Sequence, residues 1–155
     1  MRTTRSVGAT RIVLVSTLVL ALGLGVLGTA PASAGKHGRR DQMLSLLNKA
    51  RTNREVRRLD VKSIVARRAA GHSRAMDRKN RLYHSDPLAR QVRGLRWRVV
   101  GENVGVGPSI DGLYRAFMRS KPHKRNILDR SFKKVGIGFD VDRRGNHWVT
   151  LIFYG

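Results

Sequence analysis

Three side chains in this sequence pair a reactive type with a setting that could use it: His84, Glu102 and His123. His84 stands in Tyr83-His84-Ser85-Asp86-Pro87, an irregular segment in which the proline pushes the residue before it toward extended geometry. Glu102 is one of only two glutamates in the chain and opens the run Glu102-Asn103-Val104 after Gly101. His123 follows Lys121-Pro122, ahead of Lys124-Arg125-Asn126-Ile127-Leu128. Two neutral imidazoles can bind a divalent metal, and a carboxylate can join them as a ligand or orient one through its other ring nitrogen. The same set does general acid–base work if burial tunes its pKa values. The three residues belong to three separate elements, so only the fold can bring them together. A bland role stands beside the chemical one. Glu102 can fix the turn that follows it, and Asn103 and Asn126 can tie loops to the backbone through their amides.

Several other chemistries fail on residue type. Gly105-Val106-Gly107 before a helix lacks the lysine and spacing of a phosphate loop. Ser85 beside His84 does not make a nucleophile elbow. The chain has no cysteine, which excludes zinc-finger, disulfide and lipoprotein-anchor readings.

The elements that must position the three residues follow from periodicity. Asp41 is read as the N-cap of a first helix carrying Met43, Leu46, Leu47 and Ala50, with Asn48 and Arg51 as polar positions. Asp60 is read as the cap of a second helix whose apolar face is Val61, Ile64, Val65, Ala69, His72 and Met76. His72 on that face is expected to be a core histidine satisfied by a local partner. Arg96–Gly101 reads as a strand leading into Glu102, with Gly105, Gly107 and Pro108 as a turn. Ser109 then caps a third helix with the face Ile110, Leu113, Tyr114 and Phe117, and His123 opens a helical turn or two. Val135, Ile137, Phe139 and Val141 alternate with small or polar residues, the pattern of a half-buried strand. Arg143-Arg144-Gly145-Asn146 is a hairpin turn, and the run from His147 to Tyr154 is apolar on both faces, as a covered central strand is. Helices on both faces of a small, mainly antiparallel sheet make an α+β, three-layer α-β-α sandwich.

Composition sets the compartment. Arg2, Arg5 and Arg11, the apolar run Ile12–Leu27 and the small-residue end Ala32-Ser33-Ala34 form an export signal over residues 1–34. A flexible basic lead-in, 35–40, and one domain, 41–155, are expected to follow. The apolar run is shorter than the roughly 20 residues a membrane-spanning helix needs, so the processed chain is not read as an integral membrane protein. The net charge is +22, with 32 Lys and Arg against 10 Asp and Glu, almost all of it in the mature part. Such a field draws polyanions. For an exported chain these are anionic envelope polymers or lipids; no specific nucleic-acid partner is read, and the chain is read as a monomer.

The ordered motifs resemble a bacterial, secreted member of the CAP superfamily, the group of cysteine-rich secretory proteins, antigen 5 and pathogenesis-related proteins with an SCP-like domain. Met43–Arg51 resembles the family's opening helix and Ala70–Met76 its second. Tyr83–Pro87 resembles the first cavity-histidine segment, Gly101–Val104 the signature glutamate motif, and Ser120–Leu128 the second-histidine segment. Val135–Phe139 and Trp148–Phe153 resemble the closing strands. The resemblance implies the same α-β-α sandwich with a cleft holding two histidines and two acids, where Zn2+ or another divalent cation can sit on the histidines. His84, Glu102 and His123 match three of the four, with His84 and His123 the metal ligands. Ser120 stands about where the fourth acid would be, and Phe117 where relatives have tryptophan. The cleft, with Asn103 and Asn126 beside it, is expected to bind an extracellular ligand: a lipid or sterol, a cell-wall polymer or a divalent metal. A metal-dependent hydrolase using His84 and His123 with Glu102 as orienter or base is the second reading. A polyanion-binding surface protein is the third.

Overall fold

The computed structural model describes residues 11–13 and 35–155. The elements run β1 (Arg11–Val13), α1 (Lys36–Thr52), β2 (Asp60–Val61), α2 (Ser63–Arg78), a short 3-10 helix (Leu88–Val92), β3 (Val99–Gly107), α3 (Ile110–Arg119), α4 (Lys121–Leu128), β4 (Lys134–Val141) and β5 (His147–Tyr154). They form one sheet in the order β1-β3-β5-β4-β2. The three long strands are antiparallel, with Glu102 opposite Ile152 and Ile137 opposite Leu151. The two short outer strands run parallel to their neighbours. The export signal read over residues 1–34 otherwise lies outside the described residues. No helix among the described residues is long and apolar enough to cross a membrane.

Two layers of helix cover the sheet, as the patterning requires. On one face α1, α3 and α4 deliver Met43, Leu47, Leu113, Phe117 and Ile127 onto Val135, Ile137, Val149, Leu151 and Phe153. On the other, α2 and the 3-10 helix set Val65, Ala69, Leu88 and Val92 against Val100, Ile152 and Tyr154. Met76 packs with Val104 and Trp148 on that side as well. β5 is the middle strand, and its run from Trp148 to Tyr154 is buried on both faces, as its apolar residues require, with the one polar side chain between them, Thr150, bonded to the Ser73 hydroxyl.

The structure corrects several local expectations. α1 opens at Lys36 with Gly35 at its N-cap, so the stretch expected as a flexible lead-in forms the first turns and Asp41 is not the cap. Asp60 does not cap α2. It pairs with Lys134 in a two-residue strand, and Lys62 takes the cap position without a side-chain bond. Gly105 and Gly107 continue β3 instead of turning. β4 is not half-buried, because its glycine face lies directly under α2. A Cβ on Gly138 would stand 2.1 Å from the Ala70 nitrogen, and one on Gly136 would stand 2.5 Å from the Val65 carbonyl carbon. The small residues of that strand therefore mark a helix backbone pressed onto the sheet, not a solvent face. Ser109 caps α3 as expected, its Oγ accepting from the Gly112 N–H at 3.1 Å. Asp142 accepts the backbone N–H groups of Arg144 and Asn146 and so closes the β4–β5 hairpin around Gly145, whose φ is 82°.

The two polar positions of α1, Asn48 and Arg51, are both buried. Asn48 takes both the N–H and the C=O of Leu59. Arg51 is fully buried, and its guanidinium donates to the carbonyls of Arg57, Ile127, Asp129 and Phe132. Burial pulls the Arg51 guanidinium below its ordinary pKa, and Asp129 opposes the shift. The signal for this was present: Arg51 falls four residues after Leu47, on the buried stripe of its helix.

Candidate functional site

The site is built where β3 passes beyond its short pairing with β1. Side chains alternate along a strand. Val100 and Val104 pack into the α2 layer, so Glu102 between them faces that layer too. Gly101 and Asn103 face α4 instead. Glu102 and Asn103 thus reach opposite sides of one strand, and the two histidines approach from those two sides.

On the α2 side Glu102 is fully buried. Its Oε2 accepts from His84 Nδ1 at 2.7 Å and from the Ser85 N–H at 2.9 Å. Its Oε1 accepts from Ser85 Oγ at 2.6 Å, and that hydroxyl in turn accepts from Gln91 Nε2 at 2.8 Å. A directional chain therefore runs from Gln91 through Ser85 to Glu102, with His84 on the other carboxylate oxygen. His84 Nδ1 donates toward the carboxylate, which fixes the orientation of the imidazole. His72 donates from Nε2 to the Tyr83 carbonyl at 2.8 Å, the local satisfaction expected of it. The same nitrogen also stands 4.0 Å from Glu102 Oε1. A small cleft of about 160 Å³ opens on the Ser85 side, between His72 and Tyr83 on one wall and Arg90 and Gln91 on the other.

On the α4 side a pair of amides joins helix to strand. Asn126 Nδ2 donates to the Glu102 carbonyl at 3.1 Å and to Asn103 Oδ1 at 2.9 Å. Asn103 Nδ2 donates to the His123 carbonyl at 3.1 Å. Gly101 admits this packing, because a Cβ there would lie 3.2 Å from Asn126 Oδ1 and 2.8 Å from the Phe132 ring. His123 is fully buried, its ring centroid 5.2 Å from that of Phe117, and its Nδ1 lies 2.8 Å from Ser120 Oγ. Its Nε2 is buried without a hydrogen-bond partner among the described residues. Burial first, and the charge of nearby His84 second, push the His123 pKa down to about 4, so its ring is neutral at pH 7.

All six residues singled out from sequence therefore belong to one assembly. Glu102 sits at its centre, bonded directly to His84 and through its backbone to Asn126, while His123 hangs from Asn103 and Ser120. Sequence reasoning missed Ser85 as the second anchor of the carboxylate, and Gln91 behind it, in a stretch with no legible pattern. A serine next to the candidate histidine was the available signal. Among the described residues no three His, Asp or Glu side chains gather around one point as a full metal-ligand set.

The molecule is thus a three-layer α-β-α sandwich with a glutamate-held histidine and a second, buried histidine across one strand. The family model of the cysteine-rich secretory protein family, CAP, matches residues 44–153, and the chain belongs to that family. It is 25% identical over 118 residues to protein YkwD of Bacillus subtilis strain 168, covering 72% of this chain and 45% of that one. An extracellular SCP-domain protein of Bacillus anthracis strain Ames superposes with TM-score 0.63 at 25% identity, over 77% of this chain and 41% of that one. An outer surface protein of Borrelia burgdorferi superposes with TM-score 0.71 at 13% identity, over 78% and 95% respectively. The chain thus spans under half the length of the two Bacillus proteins.

Proposed function

We propose that this protein is an exported binding domain whose His/Glu cleft holds a ligand and does not turn one over. The observation that carries the reading is the state of Glu102. Both carboxylate oxygens are engaged by His84 and Ser85, and the side chain is wholly buried. A general base must reach the proton it takes, directly or through one water. Glu102 instead orients His84. Export is supported by the basic, apolar and small-residue order of residues 1–34 and by the extracellular and outer-surface proteins among the similar structures.

The ligand favoured is a divalent cation such as Zn2+. His84 and His123 are the residues that would hold it, and the buried Nε2 of His123 without a partner fits that role. With two imidazoles as the protein's share, the remaining positions fall to water or to atoms of an external ligand. Bound there, the ion supplies Lewis acidity and an anchor for an anionic group. The net charge, +22 for the full chain and 22 − 3 = +19 without the arginines of residues 1–34, draws envelope polymers and anionic lipids to the protein.

Metal analysis of the protein purified from culture medium, with a lipid and glycan binding screen, tests this. The expected result is cation binding weakened in His84→Ala and His123→Ala, with no hydrolytic turnover. Metal-dependent turnover lost in Glu102→Gln would instead establish the hydrolase. Binding to anionic polymers that falls steeply with salt and ignores His84→Ala would place function on the surface charge alone.

A further inference from the structure

The two ends of α4 are treated differently, and the N-terminal end is anomalous. Ser120 is its N-cap residue, a type whose hydroxyl ordinarily accepts from the N2 or N3 backbone N–H. Here that hydroxyl makes no capping bond. Pro122 stands at the start of the helix and has no N–H to offer. The Ser120 hydroxyl lies instead 2.8 Å from Nδ1 of His123, one turn into the same helix. Helix stabilisation is forgone, and one imidazole is gripped in its place.

We infer that Ser120 is a positioning residue for His123, holding the ring through Nδ1 and leaving its buried Nε2 without a partner among the described residues. The grip differs in kind from the one on His84. A carboxylate can only accept, so it fixes His84 with the proton on Nδ1. A hydroxyl both donates and accepts, so it holds His123 in either tautomer. What enters the site then chooses: a cation takes the Nε2 lone pair, and an anionic oxygen takes an Nε2–H. His123 is the adaptable half of the pair and His84 the fixed half. The ligand arm of this inference rests on the binding reading above; the ring arm does not.

The test compares Ser120→Ala, Ser120→Thr and the parent protein by nitrogen-15 spectra of the histidine rings and by zinc titration. Ser120→Ala should change the His123 ring-nitrogen pattern, leave that of His84 in place, and weaken zinc at least about tenfold. Ser120→Thr, which keeps the hydroxyl, should restore both. If zinc does not bind the parent protein, the binding proposal fails while the ring spectra still decide the role of Ser120. A lowered melting temperature in Ser120→Ala with an unchanged His123 ring pattern would make Ser120 an ordinary helix cap and overturn the inference.

Discussion

Arg51 and Glu102 carry the two formal charges wholly buried among the described residues, and only one of them stands at a site. Each is hydrogen-bonded at every charged atom. Arg51 donates hydrogen bonds to the carbonyls of Arg57, Ile127, Asp129 and Phe132. Glu102 accepts hydrogen bonds from His84 and Ser85. The difference lies in the neighbours. Arg51's partners are all backbone, so its work ends at pinning α1 to the C-terminal end of α4 and the loop beyond. Glu102's partners include the His84 imidazole, and across the strand His123 has a buried ring nitrogen without a partner among the described residues. A hydrogen-bonded buried charge is scaffolding until something beside it is left unsatisfied.

Breaking each centre should separate stability from binding. Arg51→Met strands several buried carbonyls and should cost about 3–5 kcal/mol in denaturant unfolding, while the folded fraction still binds zinc normally. Equal loss of zinc affinity in the folded fraction would make Arg51 part of the site. Glu102→Gln keeps the shape but loses charge-assisted bonds. It should cost about 2 kcal/mol and weaken zinc by tenfold or more, the reverse balance. Between these two variants the comparison stands or falls.

The pH dependence sharpens it. His123 has a folded pKa of about 4 against an ordinary 6.5. Between those values the unfolded chain binds more protons than the folded one, so this group's contribution is complete above about pH 6.5 and is lost as pH falls toward 4. The slope it adds is at most about 1.4 kcal/mol per pH unit, and it should vanish in His123→Gln. An unchanged slope in that variant would show that His123 titrates normally. The smallest effect expected is that of Ser85→Ala. It removes one of the carboxylate's donors and should cost about 1 kcal/mol, shifting the His84 ring spectrum without disturbing His123.

The sandwich was legible because its signals are local. β5 reads as covered on both faces from its own residues, and Ser109 caps α3 within its own turn. The start of α1 was not, since Gly35 caps it without any side-chain bond to announce it. Nor was the buried glycine face of β4, because a glycine reads alike under solvent and under a helix, and only α2 decides. At the site the three reactive residues stand out by type, whereas Ser85 and Gln91 act through contacts that exist only once Tyr83–Val92 folds over Glu102. Arg51 was read only as a polar position on its helix, because most of its partners lie far along the chain, at Ile127 to Phe132.

Calorimetric titration of the protein with zinc, repeated on His84→Ala and His123→Ala, reaches the central claim most directly. One ion per chain, lost to a similar degree in both variants, is the predicted outcome. No binding in the parent protein, or binding indifferent to His123→Ala, would contradict a cleft shared by the two imidazoles.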